Sequence, residues 1–239
     1  MIKVLLNIAK RNNYKVFTRP YELNIWGIRS KSTASGKFDD EIIVFFKDEK
    51  GNWQLKSYEA STDPGTFFLK NPMQNLGTAI LNKGQHLDKW QGQYNTRLGF
   101  TAYELVQSLG EVEIIRDYNR DAFLDFNNGT ITKGFYGLNI HVGTSPGGES
   151  IDVGQWSAGC QVFANWNDYQ EFTKLCERHA QLYGNKFSYT LIDKRQENRA
   201  RLRYTLYISL LLALIAFIYV YRKQVIGFYK SFLGGAKNG

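Results

Sequence analysis

Over the first 193 positions, hydrophobic residues come in short runs and two-residue alternations broken by turn-forming residues, the pattern of a β-rich domain. Residues 22–28 alternate, residues 41–46 (EIIVFF) form a continuous apolar run, residues 48–52 (DEKGN) read as a turn, and residues 53–58 alternate again, which predicts a hairpin. Residues 30–39 are a polar loop, and Thr62-Asp63-Pro64-Gly65 reads as a turn. Residues 77–81 and 110–116 read as further strands, with 101–108 as a short helix leading into the second. His86, Trp90, Gln91 and Tyr94 fall in an aromatic, amide-rich loop suited either to holding a sugar or peptide or to stabilising a long connection, and His86 is read as structural. The first eleven residues, with Asn7 inside the apolar run and no small-x-small cleavage site, predict a short amphipathic helix rather than a signal peptide.

The period changes after residue 163. Asn165, Asn167 and Asp168 offer helix N-caps, and Tyr169, Phe172, Cys176, His179 and Leu182 recur at helical spacing until Gly184 stops the run, so Cys176 and His179 belong to a buried stripe. Residues 186–192 then close the domain as a strand, and the chain divides into a domain over 1–193, a basic polar linker over 194–203, an uncharged segment over 204–221 and a basic amphipathic tail over 222–239. The uncharged segment, YTLYISLLLALIAFIYVY, carries tyrosines towards both ends and is long enough as a helix, about 27 Å, to cross a hydrocarbon core. The expected class is therefore α+β: a β-rich domain with a few packed helices, plus one C-terminal transmembrane helix.

Charge supports that division. The formal net charge is +8, yet nine of the 30 Lys/Arg and only one of the 22 Asp/Glu lie from Lys194 onward, leaving the preceding 193 residues neutral. The basic excess belongs to the tail, not to a nucleic-acid groove, and no nucleic-acid partner is expected. Basic residues flank the uncharged segment on both sides, so the positive-inside bias nearly cancels. Two cysteines, neither in a C-x-x-C pattern, predict no disulfide scaffold, metal site or cofactor.

The chemistry is concentrated in residues 134–165, which hold His141, one of three histidines, and Cys160, one of two cysteines. A thiol has a pKa of about 8.5 and attacks as the thiolate, so a nucleophilic cysteine needs a base or cation beside it, a part His141 can fill. Ser157-Ala158-Gly159 puts small residues before the sulfur, where backbone N–H groups can approach a developing oxyanion. The run 160–163 reads as a strand that holds the sulfur at its mouth. The rival readings are a Cys160 that is merely a small hydrophobe and a Cys160–Cys176 disulfide, which would consume the nucleophile.

His141, a linker of 15 residues, then Ser157-x-Gly159-Cys160 resembles the signature of the L,D-transpeptidase (YkuD-like) family, His, a linker, then Ser/Thr-His-Gly-Cys-x-Asn/Arg. Asn139-Ile140-His141 and Trp156 through Val162 resemble more closely a variant among phage and bacterial cell-wall proteins, with N-I-H, W-S-A-G-C-Q-V and a Thr-Asp-Pro-Gly turn. The specific likeness covers residues 134–165, and a looser one runs from about Trp26 to Asp193. It implies a cysteine acyl-transfer enzyme acting on peptidoglycan stem peptides. Cys160 would be the nucleophile, His141 the base, and Gly159 and Ser157 would flank the oxyanion site. Trp156, Asn139, Gln161 and Asp63 would face substrate. Ala158 stands where the family has a second histidine and Val162 where it has Asn or Arg, which leaves cross-linking and hydrolysis both open.

The two halves together predict a membrane-anchored enzyme with peptidoglycan and, through 204–221, membrane lipid as partners. It would sit in a bacterial envelope or in the membrane of a phage virion, as a tail-anchored protein or as a lysis or virion protein assembling with other envelope components. Two further classes compete: a catalytically silent wall-binding module, and a structural membrane or capsid protein needing only the anchor.

Overall fold

The apolar run at 41–46 and the alternation after it do pair as a hairpin, and a barrel is built outward from it. The structure, a computed structural model, describes residues 1–97, 99–127 and 129–235. Helix α1 (Ile2–Asn12) buries Val4, Leu5, Ile8 and Ala9 and ends on Asn13 in the left-handed conformation, a common helix stop. Strands β1 (Asn24–Arg29), β2 (Asp40–Lys47) and β3 (Trp53–Ser61) follow, then the short helix α2 (Thr66–Lys70). Next come β4 (Thr78–Leu81), β5 (Gly84–Arg97), β6 (Phe100–Gln107), β7 (Val112–Asp117), β8 (Ile131–Gly134), β9 (Ile140–Val142) and β10 (Gln161–Phe163). Helix α3 (Trp166–Tyr183), strand β11 (Phe187–Asp193) and helix α4 (Lys194–Gly235) complete the order.

Eight strands close into a barrel in the order β1-β11-β5-β6-β9-β10-β3-β2, and β4-β7-β8 form a separate antiparallel sheet. Closure removes the exposed edges that a strand set of this length would otherwise present. Two pairings are parallel, β1 with β11 and β9 with β10. The second matters most here, since it sets residues 140–142 beside 161–163, with Gln161 N–H donating to the Asn139 carbonyl at 2.8 Å.

Helix α3 takes the cap and stripe its sequence predicts. Asn165 Oδ1 accepts from Asn167 N–H at 2.8 Å and Asp168 N–H at 3.3 Å, and Tyr169, Phe172, Cys176 and His179 are buried. Phe163 of β10 lies 5.2 Å from Tyr169 and 4.8 Å from Phe172, ring centre to ring centre. Fully buried side chains of this size contribute about 1.5–3 kcal/mol each, so α3 holds β10, and with it the strand after Cys160, firmly in place. Leu182, expected on the same stripe, is exposed, because the apolar face turns away before the last helical turn.

Three elements differ from the sequence expectation. Residues 101–107 of the expected helix are strand, and the loop expected around His86 to Tyr94 is the long strand β5. Each forms because of the other: they pair from Trp90 with Gln107 to Arg97 with Phe100 in an unbroken antiparallel ladder, which overrides the helix-compatible composition of Tyr103-Glu104-Leu105-Val106-Gln107. The basic stretch 194–203, expected as a polar linker, is helical, as the start of α4.

The chain forms two compact units, Met1–Glu197 and Asn198–Gly239. Helix α4, which begins at the end of the first unit, is the one helix among the described residues long and apolar enough to cross a membrane, and its apolar window is wholly exposed. The amphipathic tail expected over 222–239 continues this helix to Gly235, and residues 236–239 lie outside the described residues.

Candidate active site

Cys160 is the last residue before β10, and His141 is the centre of β9. In the parallel register His141 lies opposite Val162, and Cys160, two positions before Val162, emerges on the same face of the sheet as the imidazole. The two side chains line one cleft of about 410 Å³. One wall is Phe135, Tyr136, Gly137 and Leu138; another is Gln155, Trp156 and Ala158; the small sheet with its preceding turn supplies Gln74, Gly77, Thr78, Ala79 and Arg116.

The imidazole is 3 % exposed and its state follows from its bonds. Nδ1 lies 2.9 Å from the Val142 carbonyl, and a carbonyl only accepts, so the proton of the neutral ring sits on Nδ1 and Nε2 is the basic atom. Among the described residues no hydrogen bond of full geometry closes on Nε2, yet the Cys160 thiol is near enough to act on the ring by hydrogen bonding and by charge. Such contacts are commonly long or poorly aligned before substrate binds. Burial is the largest influence on His141 and pushes its pKa down; Cys160, the Val142 carbonyl and the Glu104 carboxylate together outweigh it and hold the pKa above its ordinary value. A ring that keeps its proton beside a sulfur favours the thiolate. The arrangement can therefore generate a nucleophilic sulfur and store the proton within one step of it.

The turn before the sulfur is tied down from several sides. Gly159 has φ +126°, and a Cβ there would meet the Ala79 carbonyl oxygen at 2.4 Å, so only glycine fits. Ser157, fully buried, accepts from Gly159 N–H at 3.1 Å, donates to the Cys160 carbonyl at 2.9 Å, and through its own carbonyl accepts from Gly65 N–H at 2.9 Å. Gly159 N–H is thus already engaged, and a substrate oxygen at this point would compete with the Ser157 hydroxyl. The Cys160 Sγ also lies 3.5 Å from the Gly137 carbonyl.

Of the residues expected to face substrate, Trp156 lines the cleft, half-buried, and the other three do not line it. Gln161 is fully buried, accepting from Tyr189 O–H at 2.9 Å and donating to the Gly159 carbonyl at 3.2 Å, so it braces the turn from the core side. Asn139 accepts from Gln107 N–H at 3.1 Å. Asp63 is buried against Arg29, Oδ1 to Nε 2.7 Å. A second buried carboxylate, Asp40, lies in the same group, with Thr62 N–H and O–H bonded to it and Thr62 Oγ1 bonded to Arg29.

Two buried carboxylates around one guanidinium cannot both ionise cheaply. Burial, opposed by Arg29 and reinforced by Asp40, raises Asp63 from its ordinary 3.8 to about 7. A folded value above the unfolded one gives stability that is complete below about pH 4 and is lost as pH rises through about 7. Relative to Asp63→Asn, the wild type should therefore lose melting temperature between pH 4 and pH 7 and show a constant difference above that; paired melting curves across the range check it.

Sequence reasoning missed three contributors. Glu104 is placed beside His141 because Leu105 pairs antiparallel with Ile140, and it shares with His141, Gln155 and Trp156 a smaller adjoining cleft of about 250 Å³. Gln107 accepts from Tyr136 and Leu138 N–H at 3.0 and 3.2 Å and donates to the Gly134 carbonyl at 3.1 Å, fixing the wall opposite the sulfur. Arg116 comes from the small sheet. Trp90 is fully buried and its Nε1–H donates to the Leu138 carbonyl at 2.7 Å, so it supports the same wall from beneath.

The other titratable candidates lie outside the cleft lining. His86, half-buried, bonds the Asn82 carbonyl at 3.0 Å, and the buried His179 accepts from Leu23 N–H at 3.2 Å while its Nε2 approaches the Lys186 carbonyl at 3.3 Å. Neither cysteine is in a disulfide, and burial pushes the Cys176 thiol well up. Comparison with protein-family models, with curated proteins and with solved structures found no match.

Proposed function

We propose that this chain is a membrane-anchored cysteine acyl-transfer enzyme acting on the stem peptides of peptidoglycan, its first 193 residues forming an L,D-transpeptidase-like domain. The observation that carries the reading is the Cys160–His141 pair at one cleft, with Nε2 as the basic nitrogen and a glycine-only turn before the sulfur. The motif spacing and the aromatic, amide-bearing cleft support a peptide substrate.

In the first half-reaction Nε2 of His141 takes the thiol proton as Sγ attacks the carbonyl carbon of an amide bond. The C–N bond then breaks, His141 returns the proton to the departing amine, and the acyl group stays on sulfur as a thioester. A second amine, or water, next gives a proton to Nε2 as it attacks the thioester carbon; the C–S bond then breaks and His141 returns the proton to the departing sulfur, restoring the thiol. An amine acceptor gives transpeptidation and water gives hydrolysis. The test is intact-mass analysis of the full chain mixed with a purified murein tetrapeptide. An adduct of the acyl group on Cys160, removed by added amine, is expected; no adduct at any pH between 6 and 9 contradicts the reading.

The apolar window of α4 supports the anchor. An exposed uncharged helix satisfies its backbone internally, which suits it to lipid. The full chain should sediment with membranes, resist extraction by high salt, which screens surface charge, and be released by detergent. Release by salt alone would show a peripheral contact instead.

A further inference from the structure

The cleft carries a positive charge that acyl transfer does not use. Arg116 lies on β7, in the wall supplied by the small sheet, and is only 8 % exposed. One terminal nitrogen donates to the Gly77 carbonyl at 3.0 Å and the other to Gln74 Oε1 at 3.3 Å, both neutral acceptors. The guanidinium stands 5.0 Å over the Tyr136 ring, and its Nε–H has no hydrogen-bond partner among the described residues. Among the described residues no carboxylate pairs with it, and no Asp or Glu lines the cleft.

Such placement is unusual. Arginine is rarely buried without a counter-charge, because taking the ion from water is costly unless a partner replaces the water. The local backbone is shaped to hold it there. Gly77 has φ +95°, and a Cβ at that position would meet the Asp117 carbonyl oxygen at 2.1 Å, so the turn that directs the Gly77 carbonyl at Arg116 admits only glycine. A guanidinium fixed by two neutral acceptors and an aromatic face, with N–H groups to spare and a cleft beside it, is arranged to accept an anion. Its planar fork matches a carboxylate.

We propose that Arg116 is the docking point for a free carboxylate on the peptide whose acyl group Cys160 receives. The inference rests on the acyl-transfer reading for the identity of the ligand, and it makes the enzyme selective for acidic peptides over amidated ones. Cys160 and His141 act on the scissile bond while Arg116 sets which peptide is held and in which direction. It is a binding residue, not a chemical one.

The test separates binding from chemistry. The full chain carrying Cys160→Ala, in mild detergent, is titrated by calorimetry with a murein tetrapeptide whose carboxylates are free and with the same peptide in which each is a primary amide. The acid form should bind at least about tenfold more tightly, the gain expected of a charge-assisted hydrogen-bonded pair, and adding Arg116→Gln should bring the two within about twofold. Equal affinity for acid and amide, a preference retained in the Arg116 variant, or binding of neither peptide overturns the proposal. Should Arg116→Gln fail to fold, Arg116→Lys decides: a single point charge should leave a reduced preference, and an unchanged one overturns the assignment. If the preference is present and Arg116-dependent but wild-type Cys160 never forms a thioester, the carboxylate site stands and the acyl-transfer reading fails.

Discussion

Cys160→Ala should abolish acyl transfer from a murein stem peptide, a fall of at least about 10⁴-fold, because removing the nucleophile removes the covalent route and leaves only binding and residual electrostatics. The fold should tolerate it. Cys160 is half-buried and packs at the margin of the cluster of Phe38, Val153, Val162 and Ala164, so exchanging thiol for methyl should cost no more than about 1 kcal/mol. Steady-state release of the leaving amino acid and a melting curve together check both halves. Undiminished turnover by a folded Cys160→Ala protein would assign the cleft to binding, or the chemistry to another group.

His141→Ala should lower the rate by about 10²–10⁴-fold, the range for a positioned general acid–base, and change its pH dependence as well as its size. The sign follows from the pair. Despite burial, His141 keeps a pKa above its ordinary value chiefly through Cys160, and by reciprocity the imidazolium favours the thiolate. Without the ring the thiol must ionise unaided, so the rising limb of the rate profile should move to higher pH. Glu104, which supports the protonated ring across the β6–β9 pairing, gives a milder version: Glu104→Gln should move the limb in the same direction by less. A His141→Ala profile that keeps its pH dependence while losing only amplitude would reduce the histidine to a packing role.

What could be read from residue order was local. The β2–β3 hairpin, the cap at Asn165, the buried stripe through Cys176 and the strand after Cys160 each depend on neighbours within a few positions, and periodicity exposes them. The juxtaposition of His141 and Cys160 needed one nonlocal step, the parallel β9–β10 pairing, and the recognisable spacing stood in for it. Glu104, Gln107 and Arg116 had no such substitute. Barrel closure and the small sheet bring Arg116 to the cleft, Glu104 to the smaller one adjoining it and Gln107 to the wall at Tyr136 and Leu138, from strands whose sequences advertise nothing unusual. β5 and β6 were obscured for a related reason, since the polar positions of β5 resemble a loop, and the composition of β6 suits a helix, until the pairing partner is known. Gln161 and Asn139, expected at substrate from their place in the motif, and Asp63, expected there from its turn, are not among the residues lining the cleft. In a strand, successive side chains point to opposite faces, so Gln161, next to a cysteine at the cleft, faces the core.

The central claim is that Cys160 is activated by His141, and brief alkylation with peptide mapping tests it inside one molecule. Cys176 serves as the internal control, fully buried and with its thiol pushed well up by that burial. After a short exposure of the folded full chain to iodoacetamide at neutral pH, label should be found on Cys160 and not on Cys176, and the Cys160 rate should fall at least about tenfold in His141→Ala. A Cys160 labelled no faster than Cys176, or one whose rate is indifferent to His141, would contradict the account.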